Sequence, residues 1–108
     1  MNAKQFRLLQ DRDGYCLHCG ETERLSPNHR AGRGMGGSKQ LDVPSNIVLL
    51  CSRMNFLIES DPVMADLARE HGWKLERWQD PKSIPVKDLL TGKSWLLDDG
   101  WARTVTVS

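Results

Sequence analysis

Two stretches of the chain hold residues whose types and spacing could do chemistry at a metal. Cys16-Leu17-His18-Cys19-Gly20 is a Cys-x-x-Cys pair followed by glycine, the geometry that brings two thiolates onto one tetrahedral zinc at about 2.3 Å. Cys51-Ser52-Arg53-Met54 repeats the spacing with methionine in place of the second cysteine, and Asn55 follows it. Three cysteines are an odd number, and in a reducing compartment metal binding is a better use for them than a disulfide framework. Zinc would take Cys16, Cys19 and Cys51. The fourth position is open between Met54, a neutral thioether better suited to softer ions such as Cu(I), and His18, which would have to fold back from inside the first turn. Without a metal, Cys16, Cys19, Cys51 and Met54 would pack as an apolar cluster.

The second chemical stretch is Ser26-Pro-Asn-His-Arg-Ala-Gly-Arg-Gly-Met-Gly-Gly-Ser38. It places His29 beside Asn28 and Arg30, with Arg33 and a glycine-rich run after it. Histidine offers a base that works near neutral pH, and arginine with exposed backbone N–H groups suits phosphate. The glycines do not form a nucleotide-binding loop of the Walker kind, because no Gly-Lys-Ser/Thr follows them and no long strand precedes them. Arg53 is a further phosphate candidate, with a solvated surface charge as the equal alternative. Up to Asn55 the chain carries eight basic and five acidic side chains, and beyond it seven basic and nine acidic. That asymmetry permits phosphate contact on the N-terminal half without demanding it.

These residues need elements to hold them. Residues 2–12 read as a short helix capped by Asn2, with Phe6 and Leu9 on one face and Asp13-Gly14 as the stop. Arg24-Leu25-Ser26 is expected to open a strand ahead of Pro27, and Val43-Pro44-Ser45-Asn46 a turn. Ile47-Val48-Leu49-Leu50 reads as a buried strand. A helical pattern runs from Phe56 to His71, interrupted or restarted at Pro62 and stopped by Gly72. The remainder reads as β: Lys74 to Trp78, Val86 to Leu90, and a hairpin of Lys93–Leu97 and Trp101–Val107 joined by Asp98-Asp99-Gly100. All four tryptophans lie in this last third and are expected mainly to pack the core.

At 108 residues with 39% hydrophobic and 27% charged side chains, the chain suits one small domain that would gain from an added staple. No apolar run approaches the length of a membrane span, and residues 1–14 lack the apolar centre of a signal peptide, so a cytoplasmic location is expected.

Taken together, the Cys-x-x-Cys-Gly turn, Asn28-His29, "RGMGGS", "PSNIVLLC", Asn55 and the "IES" after it resemble the HNH endonucleases, particularly the small ones of bacteriophages and prophages. The resemblance runs from about Tyr15 to Gly72. It implies an α+β fold: a ββα-metal core over 15–72, flanked by an N-terminal helix over 1–14 and a β-rich extension over 73–108. The hairpin would run from about Leu25 to Leu50, and the helix would start near Asn55. It further implies a DNA-cleaving phosphodiesterase. His29 would be the general base, Asn46 the asparagine that braces the hairpin loop, and Asn28 and Asn55 the ligands of one catalytic cation (Mg²⁺, Mn²⁺ or another transition metal). Cys16, Cys19, Cys51 and Met54 fall on the structural zinc positions.

The partners so implied are DNA and, in a phage setting, packaging or host proteins. Two departures stand out: Met54 replaces a cysteine, and Asn28 stands where the family usually has Asp or His, so neither catalytic ligand is charged. The same departures support a competing expectation, an HNH-like module that binds nucleic acid or a protein without cutting. A zinc-ribbon regulator would leave Asn-His-Arg and "PSN" without a use.

Overall fold

The structure, a computed structural model, describes residues 1–32 and 42–106. Arg33, most of the glycine-rich run and Val107 of the expected last strand lie outside the described residues.

The chain begins with helix α1, Ala3–Asp13. Asn2 caps it: the Asn2 side chain accepts from the Gln5 N–H, and the Gln5 side chain accepts from the Asn2 N–H, so two N–H groups left unpaired by the helix start are satisfied. Gly14, at φ 80°, ends it. Strand β1 (Leu25–His29) and strand β2 (Ile47–Cys51) form an antiparallel pair in which His29 faces Ile47 and Leu25 faces Cys51. Helix α2 (Ser52–Ser60) follows β2 directly, and α3 (Pro62–Glu70) follows α2 with Asp61 as its cap and Pro62 in its first turn. Strands β3 (Val86–Lys87), β4 (Ser94–Leu97) and β5 (Arg103–Thr106) make a second antiparallel sheet in that order. The architecture is α+β, with helices and antiparallel sheets.

β1 opens at Leu25, ahead of Pro27 as expected, and runs on through it; in a two-stranded pair each strand has an edge outside the ladder, so a residue without N–H can be accommodated. Three expectations need correction. Helix α2 starts at Ser52, which places Asn55 in its first turns and not at its beginning. Lys74 to Trp78 is not a strand. The N–H groups of Trp73 and Lys74 both donate to the Ala68 carbonyl at the end of α3, so this backbone closes a helix instead of joining a ladder; only Leu75 bridges, to Ala31. Val86 to Leu90 likewise pairs over only two residues, because the Asp88 carboxylate accepts from the Leu90 and Thr91 N–H groups and turns the chain.

β2 is buried along its whole length and serves two cores. Ile47 and Leu49 meet Leu9 and Phe6 of α1, with Trp101 beside them. Val48 and Leu50 lie in the larger cluster with Ile58, Ala68, Trp73, Val86 and Leu97. Its outer edge is also used: the Asp13 carboxylate accepts from the Leu49 N–H, and the Leu49 carbonyl accepts from Leu17. Trp73 is fully buried, Trp95 and Trp101 pack against the two cores, and Trp78 is 83% exposed, so the tryptophans divide between core and surface. Gly72 (φ 78°) has no room for a side chain, since a Cβ there would lie 2.0 Å from the Pro85 carbonyl oxygen. Among the described residues no helix is long and apolar enough to cross a membrane.

Candidate metal centre and hairpin site

The cysteines come together. Cys16 and Cys19 sit in one turn, held by the Gly20 N–H donating to the Cys16 carbonyl and the Cys16 N–H donating to the Glu21 carbonyl. Cys51 ends β2 and caps α2 with no side-chain hydrogen bond to that helix, because its sulfur turns toward the turn instead. The Cys19 and Cys51 Sγ atoms are 3.9 Å apart, and all three sulfurs lie within 4.8 Å of one another. Thiolates bound at about 2.3 Å to a tetrahedral ion are about 3.8 Å apart, so Cys19 and Cys51 already stand at ligand spacing and the trio could hold a metal ion.

The thiols are not alike. Burial pushes the Cys16 thiol up to about 11. At the exposed Cys19 burial acts in the same direction, but hydrogen bonding from the Glu21 backbone and from the Cys16 and Cys51 thiols outweighs it and lowers the pKa. Cys19 therefore ionises more readily than Cys16.

Met54 is fully buried in the cluster that contains Cys16 and Cys51. His18, the other candidate for the fourth position, does not belong to the ligand group; its ring meets Trp73 edge-on at 5.9 Å. Burial, then the charges of Arg53 and His71, lower the His18 pKa, and its buried Nδ1 has no hydrogen-bond partner among the described residues.

The hairpin holds the second group. Asn46 is fully buried in the 3₁₀ turn Pro44–Asn46, where its side chain accepts from the Ala31 N–H at 2.9 Å and donates to the Ala31 carbonyl at 3.2 Å. Its backbone carbonyl accepts from the Arg30 N–H. Asn46 thus clamps the chain just after His29 to the chain just before β2. His29, at the end of β1, has its Nε2 3.0 Å from Asp42 Oδ1. Strand alternation turns Asn28 to the other side, where its Nδ2 donates to the Trp73 carbonyl at 2.9 Å. Asn55 Nδ2 reaches the Ser26 carbonyl at 3.4 Å.

The arginines separate. Arg53 is exposed in the first turn of α2. Arg30 is not placed for that role. It is 1% exposed, and its guanidinium donates to four carbonyls: Gly72, Ser45, Pro81 and Ile84. With four of its five N–H groups on carbonyls and almost no surface exposed, the side chain cannot reach a partner outside the fold, so Arg30 is a structural anchor.

Sequence reasoning missed two participants, Arg30 as anchor and Asp42 as the partner of His29. Neither has a local signal: the partners of Arg30 lie 15 to 54 residues away, and Asp42 lies 13 residues from His29. Comparison with protein-family models, with curated proteins and with solved structures returns no match.

Proposed function

We propose that the protein is a metal-dependent DNA endonuclease of the HNH kind, built on a ββα-metal core and stapled by zinc. The observation that carries the reading is the order β1–β2–α2 with His29 at the end of the first strand and Asn46 clamping Ala31 directly behind it. A base that must meet a phosphodiester in one orientation needs such a brace, because small displacements of a reacting group cost large factors in rate.

Asn28 and Asn55 are the residues that would hold the catalytic cation. Each has its amide nitrogen on a backbone carbonyl, which leaves the carboxamide oxygen as the ligand atom. A divalent cation there supplies charge neutralisation at the phosphate. The donor set fits weakly, since two neutral oxygens offer a hard ion no formal charge. The chain's own part is proton transfer: His29 takes a proton from water as the water oxygen bonds to phosphorus, and the P–O bond to the departing sugar oxygen breaks with its electron pair on that oxygen.

A second reading, a binding module that does not cut, is favoured by one observation. The side chains of Asn28 and His29 project to opposite sides of β1, toward Trp73 and toward Asp42 respectively. Plasmid nicking measured in Mg²⁺, Mn²⁺, Ni²⁺ and Zn²⁺ separates the readings. Nicking that requires added metal is the expected result; DNA binding without nicking in any of the four would favour the module.

The trio of Cys16, Cys19 and Cys51 would hold the structural zinc, with Met54 closing the site only poorly. One zinc per chain is expected by elemental analysis, and Met54→Cys should tighten it by at least about tenfold against a chromophoric chelator, since a thiolate replaces a neutral thioether. Equal affinity in the two proteins would remove Met54 from the coordination position.

A further inference from the structure

We infer that Asp42 is the positioning residue of the hairpin site: it holds His29 as the tautomer protonated at Nε2 and so makes Nδ1 the atom that accepts the proton from water. The inference rests on the reading of His29 as a base and adds the residue that orients it.

The geometry is a hydrogen bond. Nε2 and Oδ1 are 3.0 Å apart, with the side chains of His29 and Asp42 22% and 37% exposed. An ionised carboxylate only accepts, so a neutral imidazole bonded to it through Nε2 must carry its proton there, and the lone pair is left on Nδ1. When Nδ1 takes a proton, Nε2–H continues to donate to Asp42 and nothing has to rearrange.

The placement of Asp42 also follows from the fold. It lies just ahead of the 3₁₀ turn, and Asn46 in that turn is fastened to Ala31 through its side chain and to Arg30 through its carbonyl. Asn46 therefore fixes the neck of the loop, and Asp42, four residues earlier, fixes the ring in that neck. The pair could instead act as two ligands of one cation. The hydrogen-bond distance favours positioning, as does the absence of both residues from any cluster of three or more metal-ligating side chains among the described residues.

The test uses the full chain labelled with ¹⁵N, read by long-range proton–nitrogen correlation of the His29 ring at a pH where it is neutral, with plasmid nicking measured in parallel. The wild-type ring is expected as a single Nε2–H tautomer. Asp42→Ala should give a mixture of tautomers and nick about 10- to 100-fold more slowly. Asp42→Glu keeps an acceptor-only carboxylate and should restore the single tautomer and part of the rate.

An unchanged tautomer in Asp42→Ala, or an Nδ1–H ring in the wild type, overturns the inference. So does an Asp42→Ala protein in which His29 keeps its tautomer but no longer broadens on addition of Mn²⁺, because Asp42 would then be a ligand. A wild-type chain that nicks nothing, yet loses its single tautomer with Asp42→Ala, would sink the nuclease reading while leaving the orienting pair in place.

Discussion

Arg30→Met is expected to lower the stability of the fold by at least about 3 kcal/mol, a large share of what a domain of this size has. The guanidinium donates through Nε to Gly72, through Nη1 to Ser45 and Pro81, and through Nη2 to Ile84. Those carbonyls belong to the segment after α3, the turn before β2 and the loop before β3, so one side chain joins three parts of the chain that no sheet connects. Methionine fills a similar volume and offers no donor, leaving buried carbonyls that water cannot easily reach.

Burial lowers the Arg30 pKa to about 9, so at neutral pH the group stays charged and keeps all its donors. Arg30→Lys should be rescued only in part, because an ammonium at the end of a flexible stem cannot reproduce a planar fork of donors. Urea unfolding followed by tryptophan fluorescence measures both variants. A midpoint for Arg30→Met equal to that of the wild type would show that the four contacts contribute nothing.

The other large effect is on activity. His29→Ala should reduce metal-dependent nicking by about 10²- to 10⁴-fold, the range that a positioned general base supplies. Stability should change by less than about 1 kcal/mol, since the His29–Asp42 pair is partly exposed and such pairs contribute little. The contrast with Arg30 separates the adjacent residues: one change is expected to weaken the fold and the other to slow the nicking. Nicking by a clean preparation of His29→Ala at the wild-type rate would rule out His29 as the base, and a large loss of stability would make it a packing residue.

Much of the local structure was legible in the residues themselves. Asn2 and Gln5 start a helix because their side chains satisfy N–H groups within one turn, and Gly14 ends it by taking a positive φ. Cys16 to Gly20 forms its turn for equally local reasons, and Ile47 to Leu50 is a buried strand because four consecutive apolar residues have no polar face to turn outward. The hairpin around Asp98-Asp99-Gly100 forms at the expected place, although Trp101 also takes a positive φ to complete it. Where expectation failed, long-range hydrogen bonds had overridden local preference. Trp73 carries a strand-like sequence, but its N–H serves α3 and its carbonyl serves Asn28, which leaves no ladder to join.

The candidate site divides along the same line. Sequence by itself determined which ligand types exist: two cysteines in one turn, a third at the end of a strand, a histidine beside an asparagine, and the asparagine of "PSN". Spacing within a turn or along a strand sets those relations. Only the tertiary structure decided that Cys51 crosses the fold to within 3.9 Å of Cys19, that His29 meets Asp42, and that Arg30 points inward while Arg53 stays outside. The two arginines look alike in a sequence because charge is a property of the residue. Whether a charge faces solvent or four carbonyls depends on which distant segments fold around it, and burial of the core sets that arrangement.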